Sequence, residues 1–248
     1  MVMFTSAFMM GTAGGGLFVI NTTSAENNIN LRTKLDAANF NNDVESTIIY
    51  NLDAGVTVGS NTTATAPAWQ TGTISSIHTL TVNIGGVVYG MGGEGAPEAS
   101  TGSPFACPTP QAGGVGGNAL SFEHNAVVNL LPTSIVKSGG GGGGQGANGI
   151  DIGDHYESFE YGQCGGRGQG FTTLTGPVDG CPRKSGDDNS YGGAGGNGGV
   201  FGSNGQNGSN GDPVTCSVGI GGAAGNAVKK NGYTVTVYTS GTVVGTVG

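Results

Sequence analysis

The sequence is poor in charge. Asp, Glu, Lys and Arg make up 10% of its 248 residues, against about 25% in an ordinary globular chain. Basic residues are the scarcer kind, 8 against 16 acids for a net charge of −8. No basic patch is left to neutralise phosphates, which excludes nucleic acid as a partner. Leu, Ile, Val and Phe together stay just above ~20%, which with the low charge density argues against charge-driven disorder. Nine Pro are too few for a collagen triple helix. No apolar run approaches the ~18 residues of a membrane span. The uncharged first twenty residues are broken by Gly11 and by Gly14 to Gly16, and no Lys or Arg precedes Arg32. They lack the basic start of an export signal and read as a buried or partner-docked segment, without membrane insertion.

Catalytic motifs are also missing. There is no G-x-S-x-G elbow, no H-E-x-x-H, and no glycine run followed by the Lys-Ser/Thr of a phosphate cradle. His78, His124 and His155 are far apart in sequence. The densest polar cluster, Asp151 to Tyr161 (DIGDHYESFEY), has oxygen ligands without calcium-loop spacing and singles out no carboxylate pair for glycoside hydrolysis. The expectation is a non-enzymatic protein with no catalytic residue, no cofactor and no metal. None of the four cysteines, Cys107, Cys164, Cys181 and Cys216, forms a C-x-x-C pair, so zinc-ribbon and thioredoxin motifs are absent. Their even number allows two disulfides in three connectivities, or four isolated buried thiols.

What the chain has in excess is glycine, 53 residues, roughly three times the usual ~7%. A helix is expected over 24–39, with Ser24 as N-cap and Ile29, Leu31, Leu35 and Ala38 at near-helical spacing. Val44–Leu52, a turn at 53–55 and Val56–Val58 read as strand, turn, strand, and Trp69 as a packing anchor. Then a pattern recurs. HTLTVNIGGVVYGMGG (78–93), HNAVVNLLPTSIVKSGGGGGG (124–144) and NGYTVTVYTSGTVVGTVG (231–248) each place a strand, a break and a second short strand before glycine. GGVGGNAL (113–120) and GGAAGNAV (221–228) form a second weak repeat.

The glycines themselves are phased. Gly193, Gly196, Gly199, Gly202, Gly205, Gly208 and Gly211 fall at every third position, as do Gly140, Gly143, Gly146 and Gly149, and Gly162, Gly165 and Gly168. Period three is the repeat of polyproline II, ~3.1 Å per residue with no internal hydrogen bonds. A flexible linker does not require such phase. The predicted class is therefore mainly β with glycine-rich polyglycine II helices and one short N-terminal helix, strand pairs alternating with Gly tracts. The run 193–211 is expected to form a single extended element of about 60 Å. Two regions are expected: residues 1–73, a helix plus β-hairpin, and residues 74–248, the glycine-rich domain.

At these tracts the sequence resembles the glycine-rich receptor-binding adhesins at the long-tail-fibre tips of T-even-like bacteriophages. LTVNIGGVVYGMGGEG (80–95), SGGGGGG (138–144), GGAGGNGG (192–199) and GGAAGNAV (221–228) carry the resemblance, and INLRTKLDAANFNNDVESTIIYNLDAGVTVGS (29–60) resembles glycine-rich phage virion proteins generally. The resemblance implies a layered polyglycine II sandwich whose loops contact a host receptor, and hence a virion protein made in the host cytoplasm. On that reading residues 1–73 dock other virion proteins of fibre, tail or capsid. The loops between tracts meet a host surface protein or glycan, with Phe105, His155, Tyr156, Phe159, Tyr161, Phe171 and Tyr191 as contact residues. A non-adhesive decoration, collar or fibre protein would use the same fold. A polyglycine II ice-binding protein would need a flatter surface than Tyr156, Arg183 and Lys184 allow.

Overall fold

The computed structural model describes residues 7–11, 16–62, 66–99, 107, 109–152, 157–185, 190–213 and 216–248. The β-branched segments found in the sequence become short strands that wind through three faces in turn. β1 (Ala7–Gly11) precedes the first coil, β2 (Gly16–Thr22), β3 (Glu26–Asn27) and β4 (Ile29–Asn30), and α1 (Leu31–Ala37) follows it. The second coil is β5 (Thr47–Leu52), β6 (Thr57–Gly59) and β7 (Trp69–Gln70), and the third is β8 (Thr79–Ile84), β9 (Val87–Tyr89) and β10 (Leu120–Ser121). The fourth begins with β11 (Ala126–Leu130) and β12 (Ile135–Lys137). Before it closes, the chain makes two small hairpins, β13 (Gly149–Ile152) with β14 (Glu157–Glu160) and β15 (Lys184–Ser185) with β16 (Tyr191–Gly192). β17 (Asn226–Lys229) then closes the fourth coil, and β18 (Val235–Thr239), β19 (Thr242–Val244) and β20 (Thr246–Val247) make the fifth.

Equivalent strands stack in parallel: β2-β5-β8-β11-β18 on one face, β3-β6-β9-β12-β19 on the second and β4-β7-β10-β17-β20 on the third. β1 extends the first face antiparallel to β2. This is a five-coil parallel solenoid, in which each coil buries its apolar side only against its neighbours. Alternation along each strand sends every second residue inward. Ile20, Tyr50, Val82 and Val128 stack in one buried column, and Thr22, Leu52, Ile84 and Leu130 in the next. Trp69, 1% exposed, lies between the rings of Tyr50 (5.2 Å) and Phe122 (5.3 Å). The Tyr50 hydroxyl donates to Thr22 Oγ1 (3.0 Å), and burial pushes the phenol pKa well above its ordinary value. Outside the core, Asn21, Asn51, Asn83 and Asn129 form a ladder in which each amide donates to the one below at 2.8 Å.

Three expectations need correction. The residues of 44–58 do not make a hairpin: β5 and β6 lie on different faces and pair with equivalent strands of other coils. The same holds for the later strand pairs, β8 with β9, β11 with β12 and β18 with β19, which are consecutive faces of one coil. Residues 16–73 are thus the first two coils of a stack that continues through 74–248. The helix is shorter than 24–39. Residues 26–30 are used as β3 and β4, and Asn30, not Ser24, is the N-cap, its Oδ1 accepting from Thr33 N. Ile29 enters the core as a strand residue beside Trp69, while Leu31 and Leu35 are the helix's buried side. Asn39, at φ 57°, ends it.

The glycine-rich segments leave the solenoid at one corner, between the second and third faces, in the adjacent third and fourth coils. They form eight extended tracts: 90–99, 111–118, 139–148, 161–170, 176–183, 193–200, 202–211 and 216–225, almost wholly without helix or ladder assignment. Their hydrogen bonds run between tracts. N–H groups 139, 142 and 145 donate to carbonyls 117, 114 and 111; groups 140, 143 and 146 donate to 169, 166 and 163; and groups 141, 144 and 147 donate to 203, 206 and 209. Carbonyls 139–145 accept in the same rotation from 216–225, 90–99 and 193–200. Six tracts therefore surround 139–148. A Cβ at Gly139, Gly140, Gly141, Gly142, Gly143 or Gly144 would land on a carbonyl oxygen, of Met91, Gly199, Gly222, Glu94, Gly196 and Gly219 respectively.

The expected single 60 Å element is two antiparallel tracts. The chain reverses at 201–202, where Gly202 takes φ 72°, and Gln206 and Ser209 donate back to Asn197 and Ala194. Phase is kept through the turn, so Gly193, Gly196 and Gly199 lie close against tract 202–211 while Gly205, Gly208 and Gly211 lie close against tract 139–148.

Two measurements test this account. Gly143→Ala places a methyl group onto the backbone carbonyl of Gly196, so it should lower stability by about 3 kcal/mol or more, whereas Val115→Ala, exposed on the same block, should stay within about 0.5 kcal/mol. Thermal unfolding reads the difference, and equal melting temperatures for the two variants would refute the packing. Asn83→Ala removes two rungs of the amide ladder and should cost about 1–2 kcal/mol in urea unfolding.

Candidate functional site

Alternate tracts run out from the solenoid corner and back, which fixes where their connections lie. The connections 171–175 and 201–202 lie at the near end. Phe171 N donates to Gly90 O, Gly202 N donates to Ser138 O, and a Cβ at Gly59 of β6 would strike the Phe171 ring. The other four connections, 100–110, 149–160, 184–192 and 212–215, join tract ends at the outer end. Phe171 therefore packs on the solenoid, at the opposite end of the tracts from Phe159, Tyr161 and Tyr191, because the tract before it returns to the corner.

The outer end is built on short bonds between connections. Tyr191 and Asp212 exchange backbone hydrogen bonds (Tyr191 N to Asp212 O 2.7 Å, the reverse 2.8 Å), and Gly149 lies beneath both carbonyls. Arg183 lies over the Tyr191 ring, 4.5 Å from its centroid, and reaches Asp212 at 3.3 Å. Lys184 Nζ sits 2.9 Å from the nearly buried Glu160 carboxylate, which raises the Lys184 pKa above its ordinary value. Phe159 and Tyr161 meet edge to face at 4.6 Å. Ala147, Ile150 and Cys216, with Phe159 and Val218 against them, form a small second apolar core under this surface.

The cysteines pair as Cys107–Cys216 and Cys164–Cys181, each with Cα atoms 5.2 Å apart. Cys107–Cys216 joins the first outer connection to the start of tract 216–225, beside the fourth. Cys164–Cys181 fastens tract 176–183 to tract 161–170. In the chain-entropy account, separations of 109 and 17 residues correspond to stabilisation of about 4.7 and about 3 kcal/mol.

Of the predicted contact residues, Phe159, Tyr161 and Tyr191 come together at the outer end, Tyr191 37% exposed. Phe105, His155 and Tyr156 lie outside the described residues. The ion pairs Arg183–Asp212, Lys184–Glu160 and the bidentate Arg167–Glu94 were beyond sequence reasoning, since their separations depend on which tracts are adjacent. Among the described residues no three His, Cys, Asp or Glu side chains converge to hold a metal, and no helix is long and apolar enough to cross a membrane.

The architecture has a solved counterpart. The gp37–gp38 adhesin tip complex of the bacteriophage S16 long tail fibre matches at 22% identity and a TM-score of 0.50, over 92% of this chain and 81% of that one. None of the curated proteins compared with the chain matches it. The family described as phage tail fibre adhesin Gp38 matches over residues 17–248, from the first coil to the last glycine. Solenoid and glycine block together are thus covered by a single family, and the chain belongs to the Gp38 phage tail fibre adhesins.

Proposed function

We propose that this tail fibre adhesin meets its host through the four outer connections of the glycine block, and that the block is a bundle of polyglycine II helices whose role is to hold those connections in place. The observation that carries the proposal is their convergence: the three longest connections, 100–110, 149–160 and 184–192, and the short 212–215 all join tract ends remote from the solenoid, whereas the near-end turns 171–175 and 201–202 span at most five residues. Polyglycine II is supported by the threefold rotation of the bonds around 139–148. At ~3.1 Å per residue the tracts would set the outer surface about 28 Å from the corner.

The partner is a host surface protein or glycan, and the outer connections suit either. They carry Phe105, His155, Tyr156, Phe159, Tyr161 and Tyr191 as aromatic contact area. Glu98, Asp151, Asp154, Glu157, Glu160, Asp187, Asp188 and Asp212 outweigh Arg183 and Lys184 there, which disfavours general adhesion to anionic surfaces and favours a specific receptor. No chemistry is assigned to this surface. At the other end, residues 1–73 dock the fibre protein, in keeping with the S16 counterpart, which was solved as a gp37–gp38 complex. The protein works as part of the virion, outside the cell that made it.

Two results are expected. Amides 139–147 should exchange with solvent more slowly than any others in the glycine block; unprotected exchange there would rule out the bundle. Purified protein should adsorb to host cells, and Tyr156→Ala with Tyr191→Ala should weaken adsorption roughly tenfold or more, as loss of two aromatic anchors does, with the melting temperature kept. Leu174→Ala, at the near end, should leave adsorption unchanged. Undiminished adsorption after all four outer connections are exchanged would overturn the assignment.

A further inference from the structure

The links between the outer connections form a chain. Lys184 and Glu160 join the second to the third, Arg183 and the Tyr191–Asp212 bridge join the third to the fourth, and Cys107–Cys216 joins the root of the fourth, at the start of tract 216–225, to the first. Only the last is covalent, and its two sulfurs are unequally placed. Cys107 is exposed, whereas Cys216 is 7% exposed in the small apolar core with Ala147 and Ile150. The other disulfide lies between two tracts that are bonded along their backbones. Tract 176–183 is also held by backbone bonds from Val178 to Arg167, Cys181 to Cys164, Gly195 to Cys181 and Gly198 to Val178.

From this we infer that Cys107–Cys216 is a redox-operated positioning link for the receptor-facing surface, open as two thiols in a reducing compartment and closed once the protein meets an oxidant. The inference rests on the reading of the outer end as the receptor surface. Disulfides do not persist in a reducing cytoplasm, where a virion protein is made, and do persist outside it. A small-molecule disulfide outside the cell serves as oxidant. The Cys107 thiolate attacks one of its sulfurs, forming a mixed disulfide and expelling one small thiolate. The Cys216 thiolate then displaces the second. The protein loses two electrons and two protons, and two small thiols are released. Exposure sets the roles: Cys107 is the sulfur an external reagent reaches, and Cys216 resolves the mixed disulfide from within. Closure ties the first and fourth connections before any receptor is met, so the ordering cost is not incurred on binding.

The test compares intact protein oxidised, held in dithiothreitol, and reoxidised with oxidised glutathione. Reduction should weaken adsorption to host cells roughly tenfold, mainly through faster dissociation, and reoxidation should restore it. Cys107→Ser with Cys216→Ser should match the reduced protein and ignore dithiothreitol, whereas Cys164→Ser with Cys181→Ser should keep the dithiothreitol-sensitive loss. Hydrogen exchange gives a readout independent of any receptor. Reduction should speed exchange at 109–112 and 216–219 while leaving 139–147 unchanged. Equal adsorption and equal exchange in the two redox states would overturn the link, as would a dithiothreitol effect that vanishes with Cys164 and Cys181. If oxidised protein does not adsorb at all, the receptor reading fails by itself, and the exchange data alone decide whether the link orders the outer end.

Discussion

An extended backbone without side chains has no hydrogen-bond partner of its own, and the structure depends on how that deficit is met. Each peptide in such a tract points its N–H and C=O away from the axis, and once water is excluded they must find other backbone. Around 139–148 they do so in three donating and three accepting directions. That arrangement forbids a Cβ on any side, which is why residues 139–144 are all glycine. Glycine, which loses the most freedom on ordering, is tolerated here because nothing else lets backbones approach closely enough to bond.

The same constraint explains the tracts with less glycine. Tract 193–200 touches four others and keeps two glycine phases of three; tract 161–170 also touches four but keeps one, with Gly166 and Gly170 besides, and tract 202–211 touches three and keeps one. Where a neighbour is missing, amide side chains take its place. Asn204 and Asn207 accept from Ala224 and Gly221, Asn197 from Gly180, and Asn148 from Gly162. Asparagine at the free phase is therefore a substitute peptide group at the edge of the lattice. The unbroken glycine run 139–144 marks the one tract surrounded by six others.

Much of this was legible before any coordinates, and the failures have one cause. Period three announced extended tracts bonded to one another, and Trp69 was recognisable as a core anchor. The recurrence of strand, break, strand was visible as well. What it could not disclose was pairing, because a hairpin and two faces of a coil share the same local pattern and differ only in whether partners are adjacent or one coil away, from 30 residues between Ile20 and Tyr50 to 109 between Val128 and Val237. Period three likewise carries straight through the reversal at Gly202, so one tract and two look alike. Phe171 was misplaced because its position depends on counting tracts: a connection after an outgoing tract faces out, and one after a returning tract faces the solenoid.

That parity has a functional consequence. A lattice that meets its needs through backbone places few demands on side chains in the connections, and the demands it does make are concentrated at the near end, where Phe171 and Gly202 must fit against the coils. The outer connections are bounded by tract ends that stay fixed whatever residues lie between them. Sequence can change there without disturbing a single bond in 139–148. A surface that must be ordered at the moment of contact binds poorly. The Tyr191–Asp212 bridge, the Arg183 and Lys184 pairs and the Cys107–Cys216 bond lie at the roots of the connections and fasten those roots to one another. Rigid backbone below and fastened roots above keep the support constant while the residues between the roots vary.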